Sequence, residues 1–274
     1  MAYWEAAIAK ANLLEDQAKA TIDGSSRTFI HELGLSIPKK QKSQKVFSAQ
    51  WKDFDRWSVS YNQAVITMLD LSKGKFPVAE LGTILELVQY GTSEKANNSS
   101  SGAPILRIKN IKNGYVDITD LKRISLGNKT LEKLALLDGD ILIIRTSGSR
   151  NLVGTCAVFH EKAQFVYASY LIRMRVLNEK ALPDYVSIYI NSPVGRQQVN
   201  SLSRKIMQNN INSQELKLLK IPLPPIRVQR EMLQRITYVR QESALLRTEA
   251  KELLEKATIG VEQMILGTRP VENI

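Results

Sequence analysis

Three short polar segments of the 274-residue chain place cationic side chains beside hydroxyl and amide groups. They span residues 90–98, 145–151 and 205–212. Arginine and lysine bind phosphates, arginine pairs bidentately with guanine, and asparagine or glutamine pairs with adenine. In the second segment, Gly148 would let the backbone approach a phosphate closely. The segments therefore predict contacts to nucleic acid, while ordinary turns rich in serine, glycine and asparagine remain the alternative for each.

The predicted contact residues come from these segments and from one basic strand. The alternative for Lys109 in that strand is that it lies on a solvated face and contacts no phosphate. Tyr90 is expected to pack in the core or against a loop rather than to stack on a base. The candidates for DNA contact are Thr92, Ser93, Lys95, Lys109, Asn110, Arg145, Thr146, Ser147, Gly148, Ser149, Arg150, Lys205, Gln208 and Asn210.

A loose nuclease pattern is the main sign of catalysis in the sequence. Asp184, Glu215 and Lys217 supply two metal-binding acids and a lysine, although Asp184 is more simply a helix cap and Glu215 lies in a segment typical of a solvated face. The sequence contains no phosphate-binding loop, no dinucleotide fingerprint, no zinc-protease motif and no nucleophile elbow. Residues 191–194 resemble the signature of amino-methyltransferases but lack its second proline and its aromatic residue. The sequence favours a binding protein without a cofactor.

The charge balance also favours a polyanionic partner. Thirty-eight Lys and Arg oppose 27 Asp and Glu, which gives a net charge of +11, and nucleic acid is the commonest polyanion in a cell. With one cysteine, Cys156, and two histidines, the sequence excludes an intramolecular disulfide and argues against a Cys/His zinc site. Without a secretory signal or a run of about 18 apolar residues, the sequence predicts a soluble cytoplasmic protein with no membrane partner.

Two kinds of apolar pattern predict the elements that position the polar segments. Residues 3–22 have apolar positions every three or four residues, which predicts a helix that weakens at residues 23–26 and can resume as far as Gly34. Short apolar runs separated by turns predict strands, and residues 184–203 again predict helix. The predicted strands are 78–81, 84–88, 105–108, 141–144, 156–159 and 170–176.

The most regular periodicity lies in residues 228–266. Apolar and small residues recur there at alternating intervals of three and four, which predicts a long helix with a coiled-coil partner, a plain core helix being the alternative. The small residues suit close packing of helix on helix. The predicted seam consists of Met232, Ile236, Val239, Ser243, Leu246, Ala250, Leu253, Ala257 and Met264.

The sequence thus predicts an α/β fold of the mixed α+β kind, with one globular domain flanked by long helices that form a coiled coil. Two adjacent prolines in the segment 221–225 end the globular domain, because they continue neither a helix nor an inner strand. The predicted regions are a spacer-type helix at 1–35, a linker and lead-in segment at 36–75, the globular domain at 76–225 and the long C-terminal helix at 226–268.

Taken in order, several motifs resemble the specificity subunit of type I restriction-modification systems. Their order and spacing carry the resemblance, which covers residues 76–267, rather than any single motif. Phe54-Asp55-Arg56-Trp57 also resembles a segment that leads into these domains. The motifs are Tyr90-Gly91-Thr92-Ser93, residues 102–111, residues 138–148, Gln208-Asn209-Asn210-Ile211-Asn212, and residues 221–225 with Gln229 in the next helix.

The resemblance implies a target recognition domain that reads one half of a bipartite site in double-stranded DNA. It also implies long helices that form an antiparallel coiled coil and dock the methyltransferase subunits for adenine-N6 methylation. Cleavage would follow indirectly, through the restriction subunit. Methyl-donor and ATP chemistry would belong to the other subunits, so the chain itself would be a non-catalytic subunit.

Members of this family usually carry two recognition domains, whereas this chain has room for one. We therefore hypothesise a half-length subunit whose homodimer, formed through the terminal helices, reads identical and inverted half-sites. A fragment of a longer subunit, or a subunit paired with a different recognition chain, would not obey that symmetry. The alternative functions are a nuclease that uses Asp184, Glu215 and Lys217 and a coiled-coil scaffold that never reads DNA.

Overall fold

The computed structural model describes residues 2–37, 69–95, 101–112, 114–149, 151–205 and 209–268. These residues fall into two compact units: a globular unit within residues 30–230, and a helical unit formed by residues 2–29 together with residues 231–268. Residues 54–57 and most of the predicted linker lie outside the described residues.

Short strands alternate with helices through the globular unit, which confirms the predicted mixed α+β class. Each of the six predicted strand segments contains a strand, and no helix in the described ranges is long and apolar enough to cross a membrane. The helices are α1 (Ala2–Glu32), α2 (Asn128–Leu134), α3 (Pro183–Asn191), α4 (Pro193–Leu202), α5 (Ser213–Lys217) and α6 (Ile226–Ile265). The strands are β1 (Val78–Glu80), β2 (Leu85–Tyr90), β3 (Ala103–Leu106), β4 (Lys122–Ile124), β5 (Ile141–Ile144), β6 (Thr146–Ser147), β7 (Cys156–Val158), β8 (Val166–Tyr167), β9 (Leu171–Val176), β10 (Arg204–Lys205), β11 (Asn209–Asn210) and β12 (Lys220–Pro222).

A four-stranded antiparallel sheet, in the order β2-β9-β5-β7, forms the framework of the globular unit. All four residues of β5 are apolar and fully buried, because both faces of the sheet are covered. Leu142 and Ile144 pack on one face against Ile105 and Leu106 of a three-stranded sheet with the order β4-β3-β8. The run of apolar residues without alternation is therefore the signature of a central strand.

Helix α3 packs against β7 of the four-stranded sheet, and α4 packs against α3. The Sγ atom of Cys156 lies 3.6 Å from the hydroxyl oxygen of Ser187 in α3. Pro183 and Pro193 occupy the first positions of the two helices, where the fixed φ of proline and its missing N–H fit best. The predicted helical stretch 184–203 is thus two helices, and Ser192 between them caps the second.

A buried ion network connects the four-stranded sheet to α2. The carboxylate of Asp140 accepts hydrogen bonds from Nε and Nη2 of Arg175 on β9, at 2.8 and 3.0 Å. Arg173, whose side chain is 5% exposed, lies 3.5 Å from the same carboxylate. The guanidinium of Arg173 also donates to Gln89 on β2 and to two carbonyl oxygens at the end of α2. One buried carboxylate therefore balances two arginines.

The helical unit is an antiparallel pair formed by α1 and α6. The buried hydroxyl of Ser243 donates to the carbonyl of Ala18 at 2.9 Å, and Ala11 packs with Ala250. Because the residue numbers of the contacting pairs run in opposite directions, the helices are antiparallel. In the predicted seam five residues are buried and the other four are half-buried, so the seam is the packed face of α6. The buried members are Met232, Ile236, Ser243, Ala250 and Ala257.

Candidate nucleic-acid interface

The second and third predicted segments meet in a small three-stranded sheet with the order β10-β11-β6. Antiparallel pairing of β6 with β11 sets Thr146 opposite Asn210 and Ser147 opposite Asn209. Strand β11 pairs in turn with β10, which sets Lys205 opposite Asn209. Polar residues that are distant in the sequence therefore share one small sheet.

The first predicted segment reaches the same region through the turn between β8 and β9. The N–H of Thr92 donates to the carbonyl of Tyr167 at 3.0 Å, and the carbonyl of Thr92 accepts the N–H of Ser169 at 2.7 Å. The N–H of Arg145 donates to the carbonyl of Tyr170 in the same turn at 3.0 Å. The three predicted segments thus converge at one edge of the globular unit.

Side-chain hydrogen bonds hold the turns at this edge in shape. The hydroxyl of Thr92 accepts the N–H of Glu94, and the hydroxyl of Ser147 accepts the N–H of Ser149, both at 3.1 Å. Several predicted contact residues on these turns are exposed, so they are available to a ligand on a fixed backbone. The exposed members are Ser93, Lys95, Gly148 and Ser149.

Arg145 lies between an aromatic ring and a carbonyl group. Its guanidinium carbon is 4.8 Å from the centre of the Tyr90 ring, a cation–π arrangement that is attractive. Its Nη1 atom makes one long hydrogen bond of 3.5 Å to the carbonyl of Ser169. Its Nε atom is buried and has no hydrogen-bond partner. The protein therefore places this cation without using all of its donors.

Tyr90 connects the first segment to the end of the third. Its hydroxyl oxygen accepts the N–H of Ser213 at 3.0 Å and lies 3.3 Å from the hydroxyl of the same serine. Ser213 begins α5, directly after the third segment. Tyr90 is 38% exposed, so it is not a core residue, and it packs between loops by joining two of the predicted segments.

Sequence reasoning missed Ser169, Tyr170 and Ser213. The Ser169 carbonyl and Ser213 lie 24 and 123 residues from the side chains that they contact, so no local spacing links them. Tyr170 is 55% exposed and directly precedes β9. An aromatic residue at the open end of a predicted strand is the one signal that could have identified it.

The structure places Asn110 inside a turn rather than on the candidate interface. Its amide is buried, donates to the carbonyls of Asp117 and Asp120 at 2.8 and 2.9 Å, and accepts the N–H of Arg107. Its side chain therefore caps the 3₁₀ turn Ile108–Asn110. Hydrogen bonds within the protein satisfy this buried amide. Lys109 forms an ion pair with Asp120. We leave both residues out of the interface proposed below.

Two predicted contact residues, Arg150 and Gln208, lie outside the described residues. Lys205 is placed by its backbone alone, opposite Asn209 in the three-stranded sheet. These three positions therefore stay predictions from the sequence. Arg150 directly follows the exposed turn residue Ser149, which keeps it in the proposed set.

The carboxylates of the nuclease alternative have other roles. Asp184 lies in the first turn of α3, but the capping position is Leu182, so the predicted cap is wrong. Glu215 is buried and accepts the N–H of Asn212 at 3.0 Å, so the predicted solvated face is wrong as well. Among the described residues, no group of three or more His, Cys, Asp or Glu could hold a metal ion. The nuclease alternative therefore gains no metal site from this part of the chain.

His160 bridges two acids at the start of α3. Its Nδ1 atom lies 2.8 Å from Asp138, and its Nε2 atom lies 3.4 Å from Asp184. Partial burial by itself lowers the pKa of His160, but the hydrogen bond to Asp138 and the charge of Asp184 outweigh it and raise the pKa above its usual value. The folded protein therefore favours the protonated imidazole.

A His160→Gln variant tests this pH dependence. Because the folded-state pKa is raised, the stabilisation is fully present below the unfolded pKa of about 6.5 and is lost as the pH rises through the folded pKa. We expect the wild type to exceed the variant in melting temperature by more at about pH 6 than at about pH 8. The difference is small, because the side chain is 54% exposed and solvent screens its charge. Thermal unfolding at several pH values measures it, and a difference that grows with pH would contradict it.

Residues 73–256 match the family model described as the type I restriction modification DNA specificity domain. The chain belongs to this family. The match covers most of the region in which the motifs resemble specificity subunits, and it includes all three polar segments. The resemblance on which the sequence predictions depend is therefore confirmed.

Curated relatives of this specificity-domain chain are specificity subunits of type I restriction enzymes. The EcoKI specificity subunit of Escherichia coli strain K12 is 34% identical over 157 residues, which is 56% of this chain and 34% of the relative. The StySPI specificity subunit of Salmonella potsdam is 28% identical over 158 residues, which is 57% of this chain and 34% of the relative. The matched segment thus spans about a third of the length of these relatives.

Solved structures with a similar fold also come from type I systems. The HsdS subunit of Thermoanaerobacter tengcongensis aligns with a TM-score of 0.51 at 14% identity, over 96% of this chain and 56% of that chain. A structure that describes complex assembly and conformational transition of the type I R-M system aligns with a TM-score of 0.56 at 16% identity, over 97% and 56% of the two chains. At these identities the likeness concerns the fold alone, and the specificity-domain chain spans about half of each neighbour.

Proposed function

We propose that this chain is a non-catalytic, sequence-specific subunit that reads one half-site of double-stranded DNA. The observation that carries the proposal is the convergence of three polar segments at one edge of the globular unit, around Arg145, Thr146 and Asn210. The net charge of +11 supplies attraction to the phosphate backbone, which carries no sequence information. Hydrogen-bonding groups on a fixed framework supply the contacts to base edges that specificity needs.

The proposed partners are double-stranded DNA and methyltransferase subunits, with the restriction subunit engaged indirectly. The chain would direct adenine-N6 methylation and restriction, while catalytic groups and cofactors belong to the partner subunits. Family membership and the names of the relatives support this assignment. In this proposal residues 76–225 read DNA, the helical regions 1–35 and 226–268 dock the partners, residues 36–75 link them, and the complex works in the cytoplasm.

We further propose that two copies associate through their terminal helices. The chain spans about half the length of its structural neighbours, which leaves a half-length subunit or a part of a longer one as the two interpretations. A homodimer would rebuild an arrangement with two recognition domains. Because the two copies are related by a two-fold axis, they would read identical and inverted half-sites.

Mapping of adenine methylation across a genome tests both proposals. Cells that express this chain with the methyltransferase encoded beside it are compared with cells that express the methyltransferase alone. We expect a methylated motif that depends on this chain and has two identical, inverted halves, because symmetric copies present the same residues to each half-site.

The other outcomes separate the function from the assembly. A chain-dependent motif with unequal halves would keep the specificity function and contradict the homodimer. The absence of any chain-dependent motif, with both proteins soluble and associated, would contradict the specificity function. If that complex then binds no DNA, or binds all sequences equally, the result would favour the alternative of a coiled-coil scaffold. An affinity that falls as the salt concentration rises would still indicate contacts to phosphates.

A further inference from the structure

Two arginines of the globular unit lie over tyrosine rings, yet the protein uses their donors differently. The guanidinium of Arg173 is 5.5 Å from the centre of the Tyr167 ring, and its terminal nitrogens donate to three oxygens and face a buried carboxylate. The guanidinium of Arg145 is 4.8 Å from the centre of the Tyr90 ring. Its terminal nitrogens make one long hydrogen bond to the described residues. The Nε atom of each arginine is buried without a partner, so the difference lies in the terminal nitrogens, which Arg173 uses within the protein and Arg145 uses for one long bond.

Unsatisfied polar atoms accompany the terminal nitrogens of Arg145. The Nε atom of Arg145 and the Oδ1 atom of Asn210 are both buried without a hydrogen-bond partner. Asn210 pairs across the small sheet with Thr146, the residue that follows Arg145. A buried donor or acceptor without a partner is unfavourable and uncommon, so neither Arg145 nor Asn210 is fully satisfied by hydrogen bonds within the described residues. The side chain of Arg145 as a whole is half-buried, so part of it reaches solvent.

The ring of Tyr90, over which the guanidinium of Arg145 lies, limits the positions that this guanidinium can take. The hydroxyl of Tyr90 is held by the backbone N–H and the hydroxyl of Ser213, so the ring is anchored at the end opposite its own backbone. A free arginine side chain has many rotamers, and ordering them when a ligand binds opposes binding. An anchored ring under the guanidinium reduces that cost before DNA arrives.

We propose that Arg145 is a specificity-determining residue that pairs with one guanine in the major groove, and that Tyr90 is the positioning residue that orients it. This inference rests on the proposed DNA-reading function. Guanine presents two acceptors side by side, O6 and N7, and these match a guanidinium whose Nε is buried and whose terminal nitrogens make one long hydrogen bond of 3.5 Å within the described residues. A phosphate would accept the same donors, but a contact to phosphate would not respond to a change in one base.

The test uses duplexes that carry the motif found by methylation mapping, with each guanine replaced in turn by 7-deazaguanine. That base keeps Watson–Crick pairing and lacks the N7 acceptor. Binding of the full chain, in complex with its methyltransferase, is measured by fluorescence anisotropy. At one guanine position we expect the replacement to weaken the wild type roughly tenfold. The Arg145→Lys variant is expected to bind the natural duplex roughly tenfold more weakly than the wild type does. Its affinity is expected to change less than about twofold when 7-deazaguanine replaces that guanine.

Tyr90 is tested at the same guanine. Tyr90→Leu removes the ring, and we expect it to abolish the sensitivity to 7-deazaguanine at that position alone. Tyr90→Phe keeps the ring and loses only the contacts to Ser213, so it is expected to retain most of the sensitivity. Tyr115→Leu removes an exposed tyrosine outside the proposed interface and serves as the control.

Several results would overturn this inference without touching the DNA-reading function. These are an Arg145→Lys variant that keeps the wild-type response at every guanine, a motif without guanine, or a Tyr90→Leu variant that weakens all duplexes equally. If Tyr90→Leu fails to fold, Arg145→Lys decides the role of Arg145, and a Tyr90→Phe variant that loses the sensitivity although it keeps the ring would contradict the role given to Tyr90. A chain that directs no motif contradicts the proposed function itself, and this inference with it.

Discussion

Replacing Asp140 with asparagine is expected to lower the free energy of unfolding by about 3–5 kcal/mol. The carboxylate is fully buried and faces Arg173, which is 5% exposed, and Arg175, which bonds it through two nitrogens. Without the negative charge, a buried arginine is left without a counter-charge, and this is the costly way to break a buried ion pair. The loss is large beside the roughly 5–15 kcal/mol that stabilises an ordinary domain.

Asp120→Asn is the matched control for this prediction. Asp120 is 63% exposed and also faces two cations, Arg107 and Lys109. Exposed ion pairs contribute little, so we expect a loss below about 1 kcal/mol. Urea unfolding followed by circular dichroism measures both variants, and similar losses for the two would show that burial does not set the strength of the Asp140 network.

Gly91→Ala is expected to destabilise the globular unit by about 2–3 kcal/mol through overpacking. A Cβ atom at this position would lie 2.3 Å from the carbonyl oxygen of Tyr167 and 2.5 Å from that of Ala168. Both atoms belong to the backbone, so no flexible side chain can give way. The contact between the first polar segment and the turn before β9 would open, and we expect DNA affinity to fall with it.

Gly148→Ala is the control within the proposed interface. A Cβ atom at Gly148 would have no atom within 4 Å, so the melting temperature is expected to stay close to that of the wild type. Thermal unfolding measures the melting temperatures of the two variants. Equal destabilisation of Gly148→Ala and Gly91→Ala would contradict the prediction that overpacking against the backbone causes the loss at Gly91. Because Gly148→Ala stays folded, any loss of its DNA affinity would report a close approach of the backbone to a phosphate.

Local patterns in the sequence predicted the elements well, because each pattern depends on which side chains one element buries. The run Ile141–Ile144 is buried on both faces of a central strand, and the seam from Met232 to Ala257 is the packed face of a long helix. The sequence also carries the spacing of Asn212 and Glu215, a capping box that the structure contains and that sequence reasoning overlooked. Its recognition would have identified Glu215 as structural.

The family resemblance could be recognised because its motifs keep their order along the chain. Individual polar residues were less predictable, since a polar side chain serves a ligand or its own backbone according to what surrounds it. Asn110 looked like a contact residue and instead satisfies a buried turn, while Asp184 faces His160 rather than capping α3. The residue types alone do not distinguish these uses.

By itself the sequence determined the class of fold, the long paired helices, the excess of positive charge and the three polar segments. Only the tertiary structure decided that the segments share one edge, that Arg145 lies over Tyr90, and that Tyr90 is anchored by a serine 123 residues away. The physical reason is the range of the interactions. Apolar periodicity acts within one element, whereas the meeting of loops depends on strand pairing and register across the whole globular unit.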